Sequence, residues 1–263
     1  MNLSNSSLAD EAIALKRVSG PQGLSRSPAL EGEHYLEFLR KLHAERRVER
    51  YFEIGTQTGK SLQLALGAAV AVDPAFRLDL ESWQKRPSTH LFEMTSDEFF
   101  LKHDPKELLG GPIELAFIDG MHLSDFVLRD FINVERHCVS SSMIILHDVI
   151  PMNFEVAERN RRPLERRDTQ FSRHWTGDVW RVLQILKLER PDLEVRVYDC
   201  PPTGIALITN LQPSSEKLRT RLPTLTHSLV SEDILEDQFW SFIENLAVHR
   251  SYAKGISRPV DVL

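Results

Sequence analysis

The sequence predicts an α/β fold: a doubly wound, mostly parallel sheet of seven strands with a terminal antiparallel hairpin strand. Three observations carry this. Short apolar runs at 50–54, 113–118 and 143–146 alternate with helical patterns, which suits strands buried on both faces of a parallel sheet. Acidic residues stand where such runs stop, at Asp73, Asp119 and Asp148. The last two runs, 193–198 and 205–209, are separated only by D-C-P-P-T-G, too short for a helical crossover, so this pair is antiparallel.

The elements follow in order. Residues 1–30 are rich in Ser, Gly and Pro, and the most they support is a short helix over 8–18. Tyr35, Leu36, Phe38, Leu39 and Leu42 recur at helical spacing among charges, so 33–46 is an amphipathic helix. Residues 50–54 form the first strand and 61–69 the first helix. The second strand, 69–72, stops at Asp73-Pro74, because proline cannot donate to a ladder. A third strand covers 90–94, and Thr95, Ser96, Asp97 and Glu98 are good helix-start residues after it. Gly110-Gly111-Pro112 breaks the chain before the fourth strand, 113–118, which ends in Asp119-Gly120. A helix over 124–139 leads to the fifth strand, 143–146, ending in His147-Asp148.

Residues 151–177 interrupt the rhythm with an Arg-rich excursion that has little apolar periodicity. Loops of this length in compact domains are usually functional or disordered. It is read as a lid-like insertion, whose arginines between Arg159 and Arg173 suit an anionic substrate group. His174 and Trp175 are candidates for the floor of an acceptor pocket. A helix over 178–188 and the hairpin follow, then a tail with an amphipathic helix over 234–248. The chain thus divides into an N-terminal helical extension (1–49), a central domain (50–211) and a C-terminal helical tail (212–263).

Bulk properties narrow the function. The chain has 263 residues, 41% hydrophobic, and a formal net charge of -6. It therefore lacks the overall basic field that nucleic acid or an anionic membrane would favour. No apolar run approaches the roughly 18 residues of a membrane span, and the polar N-terminus lacks a signal-peptide pattern. Cys138 and Cys200 have no partner motif and read as reduced structural residues of a cytoplasmic protein. The N-terminal helix and the tail are surfaces that a homo-oligomer could use.

The most informative stretch is Y-F-E-I-G-T-Q-T-G-K-S, residues 51–61. A strand runs into a turn with two glycines, where backbone N–H groups are open to a ligand. Gly55, Gly59, Lys60 and Ser61 approach a phosphate-binding P-loop but are one residue short of it. Phe117–Asp119 could serve as the second nucleotide motif of such an NTPase. The competing reading takes Glu53, the turn residues Gly55, Thr56, Gln57 and Gly59, and the strand-ending Asp73 together. A carboxylate at the end of the second strand can accept both hydroxyls of a ribose.

With Asp73 and the closing hairpin included, residues 51–211 resemble the class I S-adenosylmethionine-dependent methyltransferases, whose sheet is Rossmann-like. I-D-G-M-H (118–122), I-I-L-H-D-V (144–149) and G-D-V-W (177–180) are similar to one branch, the metal-dependent O-methyltransferases of sugars, macrolides and aminocoumarins. The resemblance implies S-adenosylmethionine as cofactor, held by Glu53, Gly55, Thr56, Gln57, Gly59, Asp73, Ser96 and Asp119. Ser96 would sit at the adenine. It implies Asp119 and Asp148 as ligands of Mg²⁺ or Mn²⁺, and His122 as general base beside Asp119. A histidine, His147, stands where relatives often carry a second acid; it is a candidate third ligand and favours a transition metal. The expected activity is methyl transfer to a hydroxyl of a small molecule. A non-catalytic cofactor-binding protein and an NTPase are the alternatives.

Overall fold

The computed structural model describes residues 12–20, 23–78 and 86–251. In chain order the strands are β1 (Ile13–Ala14), β2 (Val18–Ser19), β3 (Ser25–Arg26), β4 (Arg50–Ile54), β5 (Ala68–Val72), β6 (Thr89–Phe92), β7 (Ile113–Ile118), β8 (Cys138–His147), β9 (Glu194–Tyr198), β10 (Ile205–Thr209) and β11 (Ala247–His249). The helices are α1 (Tyr35–Arg46), α2 (Ser96–Lys102), α3 (Pro105–Leu109), α4 (Ser124–Glu135), α5 (Phe154–Ala157), α6 (Trp180–Glu189), α7 (Lys217–Ser231) and α8 (Glu236–Glu244).

Nine strands form one sheet in the order β1-β11-β9-β10-β8-β7-β4-β5-β6. From β6 to β8 all pairings are parallel. β10 then inserts antiparallel between β8 and β9. The expected seven-stranded arrangement is therefore present, widened at one edge by β11 and β1. The chain order reverses between β4 and β7, and that switch point opens a crevice at the carboxyl ends of the strands.

Side chains alternate across β4. Phe52 and Ile54 join the larger core, with Leu128, Phe131, Leu183 and Trp240. Tyr51 joins the other core, with Phe38, Leu39 and Leu62. The helix expected over 61–69 reduces to a 3-10 turn at Leu62–Leu64. Gly67 packs on the Glu49 backbone so tightly that a Cβ there would overlap it, and β5 starts at the next residue. The crossover is too short for a helix, and Phe38, Leu39 and Leu42 of α1 bury the face it leaves.

Other departures have similar causes. Within the helix expected over 8–18, residues 8–11 lie outside the described residues. Ile13 and Ala14 pair instead with Val248 and Ala247 at the sheet edge, so tertiary pairing overrides the local pattern. The tail carries an additional helix, α7, with Pro223 inside it. The expected helix over 234–248 ends at Glu244, and the chain then turns into β11. Both cysteines are buried and free. Among the described residues no helix is long and apolar enough to cross a membrane.

The Arg-rich excursion is tied both to itself and to the sheet's helices. Arg159 bonds Asp125 (2.6 Å) and Asp178 (3.3 Å). Arg166 donates to the carbonyls of Phe171, Ser172 and His174. Arg167 pairs with Glu155.

Candidate active site

A cavity of about 520 Å³ opens at the switch point, and the ends of β4, β5, β7 and β8 supply its wall. Gly55, Thr56 and Gln57 line it on one side and Asp73 and Ser96 on another. Asp119, His122, His147 and Asp148 also line it.

The glycine turn is shaped for close approach. Gly55 and Gly59 have φ of +86° and +78°, a region that disfavours any residue with a Cβ. A Cβ on Gly55 would overlap the backbone carbonyl of Asp119. Asp73 fastens the turn: its Oδ2 accepts from the Gln57 N–H (2.7 Å) and its Oδ1 from the Ala75 N–H (2.7 Å). Each carboxylate oxygen keeps a second lone-pair direction for a ligand.

Glu53 lies beneath the turn, fully buried, and is not on the cavity wall. The hydroxyls of Tyr51 (2.6 Å) and Ser61 (3.0 Å) donate to it. Burial pushes its carboxyl up to about 7 against the pull of those hydrogen bonds. Ser96 starts α2, while the cap itself is the Thr95 hydroxyl, which accepts from the Glu98 N–H.

Asp119, His122 and Asp148 converge, with one ligand atom from each within 4.8 Å of the others. The two carboxylates supply oxygen donors that fit a divalent cation, and the His122 imidazole lies within the same group. His147 was the expected third ligand; it stands beside this group rather than in it. Its Nδ1 is 3.1 Å from Asp119 Oδ1 and 3.4 Å from Asp148 Oδ1. The ring of Tyr35 covers it at 4.4 Å. Asp148 has a left-handed φ of +61°, and Thr203 donates to its Oδ1 at 2.5 Å.

His122 is held on several sides. Its Nδ1 is 2.7 Å from the Trp175 carbonyl oxygen and 3.2 Å from Asp148 Oδ2, and its Nε2 is 3.5 Å from Asp119 Oδ1. Burial disfavours its charged form, but the hydrogen bond and charge of Asp119, with the charge of Asp148, lift it to about 9. Burial likewise opposes His147, and the same two carboxylates raise it well above the usual histidine range. Asp119 is pushed up by burial and held down more strongly by His147 and His122. Each added positive charge nearby would favour the neutral imidazoles.

The G-D-V-W segment serves this site from outside it. Asp178, buried, accepts from the Ser124 N–H (2.8 Å) and hydroxyl (2.7 Å), so it caps α4 just beyond His122. Of the residues expected to form lid and floor, neither the arginines of 159–173 nor His174 and Trp175 line the cavity. Trp175 acts through its carbonyl instead. Tyr35 and Arg77 line the cavity and were not singled out as site residues, and Lys60, weighed only in the P-loop reading, lines it too. Tyr35 counted as one apolar position of an amphipathic pattern, and nothing in that pattern shows which one faces a ligand.

Residues 52–149 match the model of a family described as a methyltransferase domain. The match spans β4 to the end of β8, which are the elements that line the cavity. The strand order around it is that of a doubly wound α/β sheet closed by an antiparallel strand.

Solved structures share its outline at low identity. Cofactor-bound Rv0187 from MTB is 18% identical over 67% of this chain and 79% of its own, with a TM-score of 0.44. The S-adenosylhomocysteine-bound methyltransferase PaMTH1 of Podospora anserina is 15% identical over 68% and 78%, at 0.45. The O-methyltransferase TomG of Streptomyces achromogenes, involved in tomaymycin synthesis and in complex with S-adenosylmethionine, is 14% identical over 68% and 80%, at 0.45. No curated protein sequence matches the chain.

Proposed function

We propose that the chain is a cytoplasmic O-methyltransferase. It moves a methyl group from S-adenosylmethionine to a hydroxyl of a small sugar or natural-product type molecule, assisted by a divalent cation. The convergence of Asp119, His122 and Asp148 beside the glycine turn carries this reading.

Gly55, Thr56, Gln57 and Gly59 give the cofactor a close backbone surface, and Glu53 braces that surface from below. Asp73 accepts the ribose hydroxyls, Ser96 stands at the adenine, and Asp119 faces the cationic methionyl end. When bound, the cofactor supplies an electrophilic methyl group on a sulfonium. Asp119 and Asp148 would hold Mg²⁺ or Mn²⁺, with His147 as neighbouring nitrogen donor, and the ion would make the acceptor hydroxyl more acidic. In its neutral form His122 receives the hydroxyl proton at Nε2, because its Nδ1–H is given to the Trp175 carbonyl. The cavity volume suits a cofactor with a small acceptor.

The nucleotide-phosphate alternative loses support from the fold. The turn is followed only by the 3-10 segment Leu62–Leu64, so no helix N-terminus faces a phosphate. A panel of sugars and hydroxylated natural products, incubated with S-adenosylmethionine and Mn²⁺ or Mg²⁺, tests the activity. A methylated product that is lost in His122→Ala, with cofactor binding kept, is expected. Cofactor binding without any methylated product would favour a binding protein instead.

A further inference from the structure

We propose that the Lys60 ammonium receives the α-carboxylate of the cofactor's methionyl group. The assignment rests on the S-adenosylmethionine reading given above.

The cavity wall carries four aspartates, Asp73, Asp97, Asp119 and Asp148. Asp97 is matched by Arg129 at 2.9 Å, and Asp119 and Asp148 face the two histidines. An incoming carboxylate needs a cation on the wall that these aspartates do not already engage. Two permanently charged side chains line it, Lys60 and Arg77. Neither makes a side-chain hydrogen bond or ion pair among the described residues. In the 151–177 excursion Arg159, Arg166 and Arg167 are committed to Asp125, Asp178, Glu155 and backbone carbonyls, and no arginine of that segment lines the cavity.

Position separates the two candidates. Arg77 follows the Asp73–Ala75 loop and bonds the Gln57 carbonyl through its backbone N–H (2.8 Å), which places it at the ribose end. Lys60 directly follows Gly59, at the far side of the turn. It lines the cavity together with Tyr35 and His147. Lys60 therefore belongs to the end of the cavity walled by Tyr35 and His147, where the methionyl chain extends past Gly55 from a ribose on Asp73. The neighbouring hydroxyl of Ser61 is already given to Glu53, and among the donors at this end of the wall the lysine is the one that carries a full positive charge of its own. A charge-assisted hydrogen bond of this kind changes affinity by about tenfold or more.

The test compares two ligands by calorimetry: S-adenosylhomocysteine, which carries the carboxylate, and 5′-methylthioadenosine, which lacks the amino-acid portion. Lys60→Met should weaken S-adenosylhomocysteine about tenfold and leave 5′-methylthioadenosine unchanged, and Lys60→Arg should restore most of the loss. Unchanged S-adenosylhomocysteine affinity in Lys60→Met overturns the assignment and turns the lysine toward an anionic acceptor. Equal weakening of both ligands, or selective weakening by Arg77→Met alone, also overturns it. A wild-type chain that binds neither ligand refutes the cofactor reading, and this assignment falls with it.

Discussion

The carbonyl oxygen of Trp175 lies 2.7 Å from Nδ1 of His122. The chain after the Arg-rich excursion returns to the site to orient one imidazole. Gly177 extends the same contact: its φ is +54°, and a Cβ there would overlap the His122 carbonyl oxygen. Gly177→Ala should therefore shift the His122 segment. Methyl transfer is expected to fall about a hundredfold, as for a displacement of about 1 Å, while S-adenosylhomocysteine affinity is retained. Parallel turnover and calorimetry measurements check this, and unchanged turnover would show that His122 is not held by this contact.

Gly55 makes the corresponding contact on the cofactor side. Gly55→Ala places a Cβ against the Asp119 backbone at a φ of +86°. Overpacking of this kind costs about 1–3 kcal/mol. Thermal unfolding should show a lower midpoint, and calorimetry should show S-adenosylhomocysteine binding lost. A variant that binds normally would remove the turn from the cofactor surface.

Glu53 makes stability depend on pH. Burial raises its carboxyl from 4.5 to about 7, so the folded state holds that proton more tightly than the unfolded state. Its contribution is fully present below about pH 4.5 and is lost as pH rises through about 7. Asp130, also raised to about 7 by burial, acts in the same direction. Unfolding midpoints of the wild type should carry a component that falls between about pH 5 and 8, and Glu53→Gln should flatten it. An identical slope in the variant would contradict the assignment.

Arg190 lies outside the site and tests the scaffold alone. It is 1% exposed and pairs with Glu135 at 2.7 Å and Asp192 at 2.8 Å. Arg190→Met leaves the buried Glu135 carboxylate without its cation, which costs about 3–5 kcal/mol. Denaturant unfolding should show that loss, and S-adenosylhomocysteine affinity of the folded protein should not change.

Much of this was legible in the sequence, for identifiable reasons. β4, β5 and β7 are buried along nearly their whole length, so they read as apolar runs, and the acids that follow such runs stand out against them. Asp73, Asp119 and Asp148 were found in this way. Elements defined by tertiary pairing were not visible: β1 and β11 are two and three residues long, below any periodicity. The helix α7 was obscured by Pro223 and by a face that buries Leu218, Leu225 and Leu229. The missing first helix follows from the close packing of Gly67 on Glu49, which no local pattern reveals. Trp175 was singled out for its ring, whereas its backbone carbonyl meets His122, and any residue type could supply that group.

The most direct measurement is calorimetric titration of the wild-type protein with S-adenosylhomocysteine, with ATP as the competing ligand. Saturable one-to-one binding of S-adenosylhomocysteine that ATP does not displace is the expected result, and Asp73→Ala should weaken it by about tenfold or more. No heat with S-adenosylhomocysteine, or tight binding of ATP in its place, would contradict the assignment of this cavity to a sulfonium cofactor.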